Sequence, residues 1–176
     1  MSFRRFTLVL MLCSSAAYTC VQSDRPYSFA IYRTAEIVGL APLLTGKVDW
    51  ARVKLGDHPL ISDADLVAYD FTNHVMTVKP EVFRRLPGGE VPFVVVADGE
   101  RIYLGAFTTW LSSKTLCIPS IVPDIVRPSF DMAERHNTLS IDDGYPPSYR
   151  SAKCTNPDPR SDERIRQALA ALGKLK

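Results

Sequence analysis

Asp70 and His74, in the stretch YDFTNHV from Tyr69 to Val75, place a carboxylate four residues ahead of an imidazole. Those are the residue types that do general base chemistry when the acid orients the ring. The same stretch carries Asn73, and an aspartate at a turn accepts hydrogen bonds from the backbone amides that follow it. Turn chemistry is therefore the preferred reading and no residue is assigned a catalytic role. A small hydrolase using Asp70 and His74 is the alternative.

Other constellations are thinner. His58, His74 and His136 are the chain's three histidines, with no pair at i and i+4, no HExxH and no CxxC, so neither a metal nor a cofactor is expected. Ser112 and Ser113 follow Trp110 but lack the Gly-x-Ser-x-Gly elbow of a nucleophile. Arg101, Tyr103 and Trp110 combine a planar cation with aromatic rings, which suits a protein or glycan partner. The competing reading is that Tyr103 and Trp110 complete the core under a C-terminal helix. Tyr69, Asp70, His74, Arg101, Tyr103 and Trp110 are the candidate binding residues.

The first residues, MSFRRFTLVLMLCSSAAYTC, read as an export signal, with Arg4 and Arg5 ahead of an apolar run and small residues from Ser14 to Ala17. Two processing routes stay open. Ser15-Ala16-Ala17 fits ordinary cleavage, which would leave a periplasmic or extracellular protein, and Ala17-Tyr18-Thr19-Cys20 is a loose lipobox that would acylate Cys20 and place a lipoprotein in the periplasm or outer membrane. Cutting before Cys20 and acylating it leaves Cys117 and Cys154 to pair in an oxidising compartment, so these two are expected to form a disulfide. No later run is long and apolar enough to span a membrane, which leaves a lipid anchor as the membrane attachment. The chain has 21 Lys plus Arg and 19 Asp plus Glu; without Arg4 and Arg5 the two counts are equal at 19. A nucleic-acid binder shows a basic excess or face, and this chain does not.

These residues need elements to position them. Period-two alternation predicts strands over Tyr27 to Ala35 and His74 to Lys79. Between them, Gly39, Pro42, Gly46, Gly56 and Pro59 predict an irregular or extended segment that docks Val48, Trp50, Val53 and Leu55. Ser62-Asp63-Ala64-Asp65 matches a capping pattern and predicts a short helical turn through Ala68. Pro80 opens a helix carrying Val82, Phe83 and Leu86, ended by Pro87-Gly88-Gly89. VPFVVVADGERIYLGAF, Val91 to Phe107, is a hairpin turning at Asp98-Gly99, apolar on both faces and so covered on both. The Pro80 helix and a C-terminal helix, capped by Ser161 and striped by Ile165, Ala168, Leu169 and Leu172, are the expected covers. TLSI, Thr138 to Ile141, is expected as an edge strand.

Three stretches, PLISDADLVAYDFTNHVMTVKPEVFRRL, VPFVVVADGERIYLGAFTTWLSS and DPRSDERIRQALAALGKL, resemble a group of small bacterial envelope proteins and lipoproteins. The central part is also similar to the periplasmic head domain of the export subunit SecD, in the order of its elements and in FVVVADGERI. The resemblance implies an α+β fold and no particular activity. The expected organisation is a signal over 1–19, a linker or lipid tether over 20–26, and one α+β domain over 27–176. Its small, mixed, mainly antiparallel sheet has a central hairpin and is packed by two or more short helices. The expected function is a non-enzymatic binding or structural module of the envelope, partnered by another envelope protein or a glycan.

Overall fold

The structure, a computed structural model, describes residues 28–36, 38, 42, 45, 47–123, 137–147, 154 and 157–176. The export signal, Cys20, the tether and His136 lie outside the described residues. Among the described residues eight strands run in chain order: β1 (Phe29–Thr34), β2 (Leu55–Ser62), β3 (Leu66–Asp70), β4 (Val75–Val78), β5 (Val91–Ala97), β6 (Glu100–Phe107), β7 (Ser120–Ile121) and β8 (Thr138–Ser140). One α-helix has both ends among the described residues, α1 (Glu163–Ala171).

The strands form a five-stranded sheet in the order β2-β1-β5-β6-β7 and a three-stranded sheet in the order β3-β4-β8. The larger sheet is antiparallel except for β6 and β7, which run parallel. The hairpin of β5 and β6 puts β5 at its centre and turns at Asp98 (φ +47°) and Gly99 (φ +75°), as a type I′ turn requires. β8 is an edge strand of the smaller sheet, as TLSI predicts.

The expected α+β packing by two or more short helices is overturned: among the described residues strand outweighs helix, the strands lie in two sheets, and α1 is the one helix with both ends described. Several local signals were outweighed. Leu55 to Ser62 forms a full strand because it lies at an edge of the sheet, where a proline is tolerated, and register shifts against β1 on either side of the Tyr32–Pro59 pair absorb the irregularity. Ser62 and Asp65 do make capping bonds, with the Ser62 amide and hydroxyl both donating to Asp65 Oδ2 at 2.9 and 2.8 Å, yet β3 follows at once. Asp65 instead closes a strand-to-strand turn and pairs with Arg85 at 2.7 Å. Burial pushes its carboxyl up, and the bonds from Ser62 and Arg85 outweigh that and hold it below its usual range. Pro80–Arg84 is a 3-10 turn of five residues, too short for the expected helix.

The cover of the hairpin also differs from expectation. One face of the larger sheet, with Phe29, Ile31, Phe93, Val95 and Phe107, shares a single core with Leu66, Tyr69, Met76 and Leu139 of the smaller sheet. Val82 and Leu86 of the 3-10 segment and Ile165, Ala168 and Leu169 of α1 join that same core, so both expected covers lie on one side. The other face, with Val94, Val96, Leu104 and Ala106, is covered by Val53, Leu116, Ile118 and Tyr145, supported by Val48 and Trp50.

Cys117 and Cys154 stand at disulfide distance, their sulfurs 1.94 Å and their Cα atoms 5.5 Å apart, compatible with the expected bond. The pair closes a loop with a sequence separation of 37 residues. Alkylation of the unreduced protein should find neither thiol free, and reduction should lower the urea midpoint by the equivalent of about 3–4 kcal/mol. Two alkylated cysteines before reduction would remove the bond.

Candidate functional site

His74 sits in the turn between β3 and β4 with φ +54°, a left-handed backbone that glycine or asparagine adopts more readily. The turn is fixed by Asp70, whose Oδ1 accepts from the Thr72 and Asn73 amides, both at 3.0 Å, and whose Oδ2 accepts from Asn73 Nδ2 at 2.8 Å. The Asn73 side chain, then its amide, hold the Asp70 carboxyl below its usual range. Asp70 is therefore the turn aspartate its neighbours predict, and its carboxylate is engaged away from the imidazole.

His74 is not a surface turn residue. It is 6% exposed, set edge-on to Tyr69 and Phe71, with Nδ1 3.4 Å from the Tyr69 hydroxyl and Nε2 3.4 Å from the Ser161 hydroxyl. Ser161 is not the helix cap it was expected to be: Asp162 caps α1, its side chain accepting from the Arg164 amide at 2.9 Å. Beside the ring, Arg160 donates to both Asp158 oxygens and to the Ile141 carbonyl at 2.6 Å. Burial first, then the Arg160 guanidinium, push the His74 pKa below its ordinary 6.5, against an opposing pull from Asp158, Asp70 and Asp143. Sequence reasoning missed Asp158, Arg160 and Ser161 as neighbours of His74. Ser161 lies 87 residues from the ring, so no local pattern carries that contact.

Arg101, Tyr103 and Trp110 do not share one patch. Arg101, near the start of β6, donates to the Trp50 and Val53 carbonyls at 2.9 and 2.7 Å and so clamps the covering segment onto the sheet. Tyr103 is buried edge-on to Phe93, and burial raises its hydroxyl well above the usual range. Trp110 lies beyond the far end of β6, 52% exposed, beside Leu111 at 89%. Ser112 in the same loop donates to Glu90, which also pairs with Lys114, so that serine braces a loop.

A pocket of about 280 Å³ opens beside β6. Ile102, Tyr103 and Leu104 form its floor, Trp50 and Val48 one wall, and Cys117 to Pro119 and the prolines Pro157 and Pro159 the rest. The paired cysteines join two of these walls, since Cys117 precedes Ile118 and Cys154 precedes Pro157. β7 pairs only with Ala106 and Phe107, so along Ile102 to Leu104 the outer edge of β6 has no strand partner among the described residues. A pocket of mixed apolar and polar surface beside a strand edge with no paired strand can seat an extended chain. The described residues contain no group of three His, Cys, Asp or Glu side chains that could hold a metal ion, and no helix long and apolar enough to cross a membrane. No protein-family model, no curated protein and no solved structure matches the chain, so its activity has to be read from its own residues.

Proposed function

We propose that this chain is a non-catalytic binding module of the cell envelope, and that it takes an extended apolar segment of another envelope protein into the pocket beside β6. The observation that carries the reading is the edge of β6 that has no strand partner among the described residues, running along a pocket of about 280 Å³ whose surface mixes apolar side chains with exposed polar atoms. A strand added there gains main-chain hydrogen bonds from the edge, and its alternate side chains enter the pocket. Export is supported by the arginines and apolar run at the start of the chain, and by a cysteine pair that suits an oxidising compartment. Acylation of Cys20 would tether the module to a membrane surface.

The hydrolase alternative has less support. Asp70 is occupied by the turn and His74 is buried against Ser161, so among the described residues Asp70 and His74 do not meet a nucleophile in an open cleft.

A photo-crosslinking residue at Ile102, in the full chain expressed in its own envelope, should yield a protein adduct that Trp50→Ala weakens. The same crosslinker at Val67, exposed on the smaller sheet, should yield none. Absence of an Ile102-specific protein adduct would end this reading, and capture of oligosaccharide in its place would turn the pocket into a glycan site.

A further inference from the structure

The prolines that wall the pocket belong to a short segment, Pro157 to Ser161, tied at its start through the Cys117–Cys154 pair and farther along by polar contacts to Ile141 and His74. Asp158 chelates Arg160, Arg160 donates to the Ile141 carbonyl, and Ser161 meets His74. The Ile141 amide in turn donates to the His74 carbonyl at 2.9 Å. His74 and the anchor point of Arg160 are therefore adjacent on the same strand pairing. We propose that His74 is an acid-sensitive catch that holds the Pro157–Ser161 wall against the sheets, so that a proton on its ring loosens the wall and weakens binding in the pocket. This rests on the reading of the pocket as a binding site.

The charges around the ring decide the direction. A proton on His74 creates a buried cation beside Arg160, which is itself fixed at Ile141. Three carboxylates pull the other way. They are Asp158, which is chelated by Arg160, Asp70, which is held by its own turn, and Asp143. Tyr69 and Ser161 offer neutral hydroxyls only. The ring's pKa is depressed in the closed form, so the closed wall is fully favoured above the ordinary value of 6.5 and loses that advantage as the pH falls through 6.5 towards the depressed value. Burial pushes the nearby Asp142 carboxyl up, which makes it the other group to control for.

Hydrogen exchange of the full chain, without ligand, tests the catch. After correction for intrinsic rates, amides over 157–172 should exchange about threefold or more faster at about pH 5 than at about pH 7.5, while those of β5 stay constant. His74→Asn, which suits the left-handed backbone, should abolish the difference, and Asp142→Asn should keep it. An unchanged pH response in His74→Asn, or none in the parent chain, overturns the proposal. Should His74→Asn fail to fold, proton NMR of the parent ring reads the same point: a titration midpoint at or above 6.5 also overturns it. Exchange is measured without a partner, so a missing Ile102 adduct with an intact pH response sinks the binding reading alone. An adduct without a pH response sinks the catch alone.

Discussion

Replacing Gly105 by alanine should cost the chain about 3 kcal/mol or more and leave much of it unfolded, although the change adds one methyl group. A Cβ at this position would lie 2.3 and 2.5 Å from ring atoms of Phe93 and 2.7 Å from the Pro119 carbonyl oxygen. Neither neighbour can give way cheaply. Phe93 sits across the strand pair from Gly105, wedged between Phe107 at 5.0 Å and Tyr103 at 6.5 Å between ring centroids. The Pro119 oxygen accepts from the Ala106 amide at 2.9 Å, the bond that starts the pairing of β6 with β7. Gly88→Ala is the control: a Cβ there meets nothing within 4 Å, and stability should stay within about 0.5 kcal/mol. Urea titration followed by circular dichroism reads both, and a parent-like midpoint for Gly105→Ala would mean that the strands around it are not packed as described.

Val95→Asp should be at least as severe. Val95 is fully buried on the central strand β5, facing the core shared by both sheets and α1. An aspartate there is either an unpaired buried charge or a protonated acid with unmet hydrogen bonds, at a cost of about 4 kcal/mol or more. Val67→Asp places the same charge on a residue 52% exposed and should move stability by only about 0.5 kcal/mol. A cooperative Val95→Asp transition close to that of the parent would show that this face is not the core.

The hairpin was legible because its signals are local. Asp98-Gly99 dictates the turn, and an apolar residue at every place from Phe93 to Val96 dictates cover on both faces. What supplies that cover was not legible. Val53, Leu116, Ile118 and Tyr145 come from irregular segments, which carry no period to read. Ser62 to Asp65 shows the other kind of failure: the sequence pattern makes the hydrogen bonds it promises, but strand pairing of Leu66 with Val78 settles what comes next. The cysteine pair, at disulfide distance here, was readable from the oxidising compartment, the proline-rich segments around both residues and the count left once Cys20 is acylated. At the candidate site, Asp70 could be placed by its neighbours Thr72 and Asn73, whereas the burial of His74 depends on Ser161 and Arg160 from the far end of the chain. The pocket depends on a strand, β7, that stops short of its neighbour's full length, and strand ends are set by tertiary packing.

Helix α1 ends in a Schellman arrangement, with Gly173 at φ +66°, its amide donating to Ala170 and the Lys174 amide donating to Leu169. That reversal lays the last residues beside β3, where the Tyr69 amide donates to the Lys174 carbonyl at 2.7 Å and the Lys176 amide donates to the Tyr69 carbonyl at 2.9 Å. The β3 side of the smaller sheet is thereby covered at Tyr69 by residues 174–176, which disfavours edge-to-edge pairing through that strand. Along Ile102 to Leu104, β6 has no such strand seal among the described residues, so the tail protects one sheet edge and leaves this one without a paired strand.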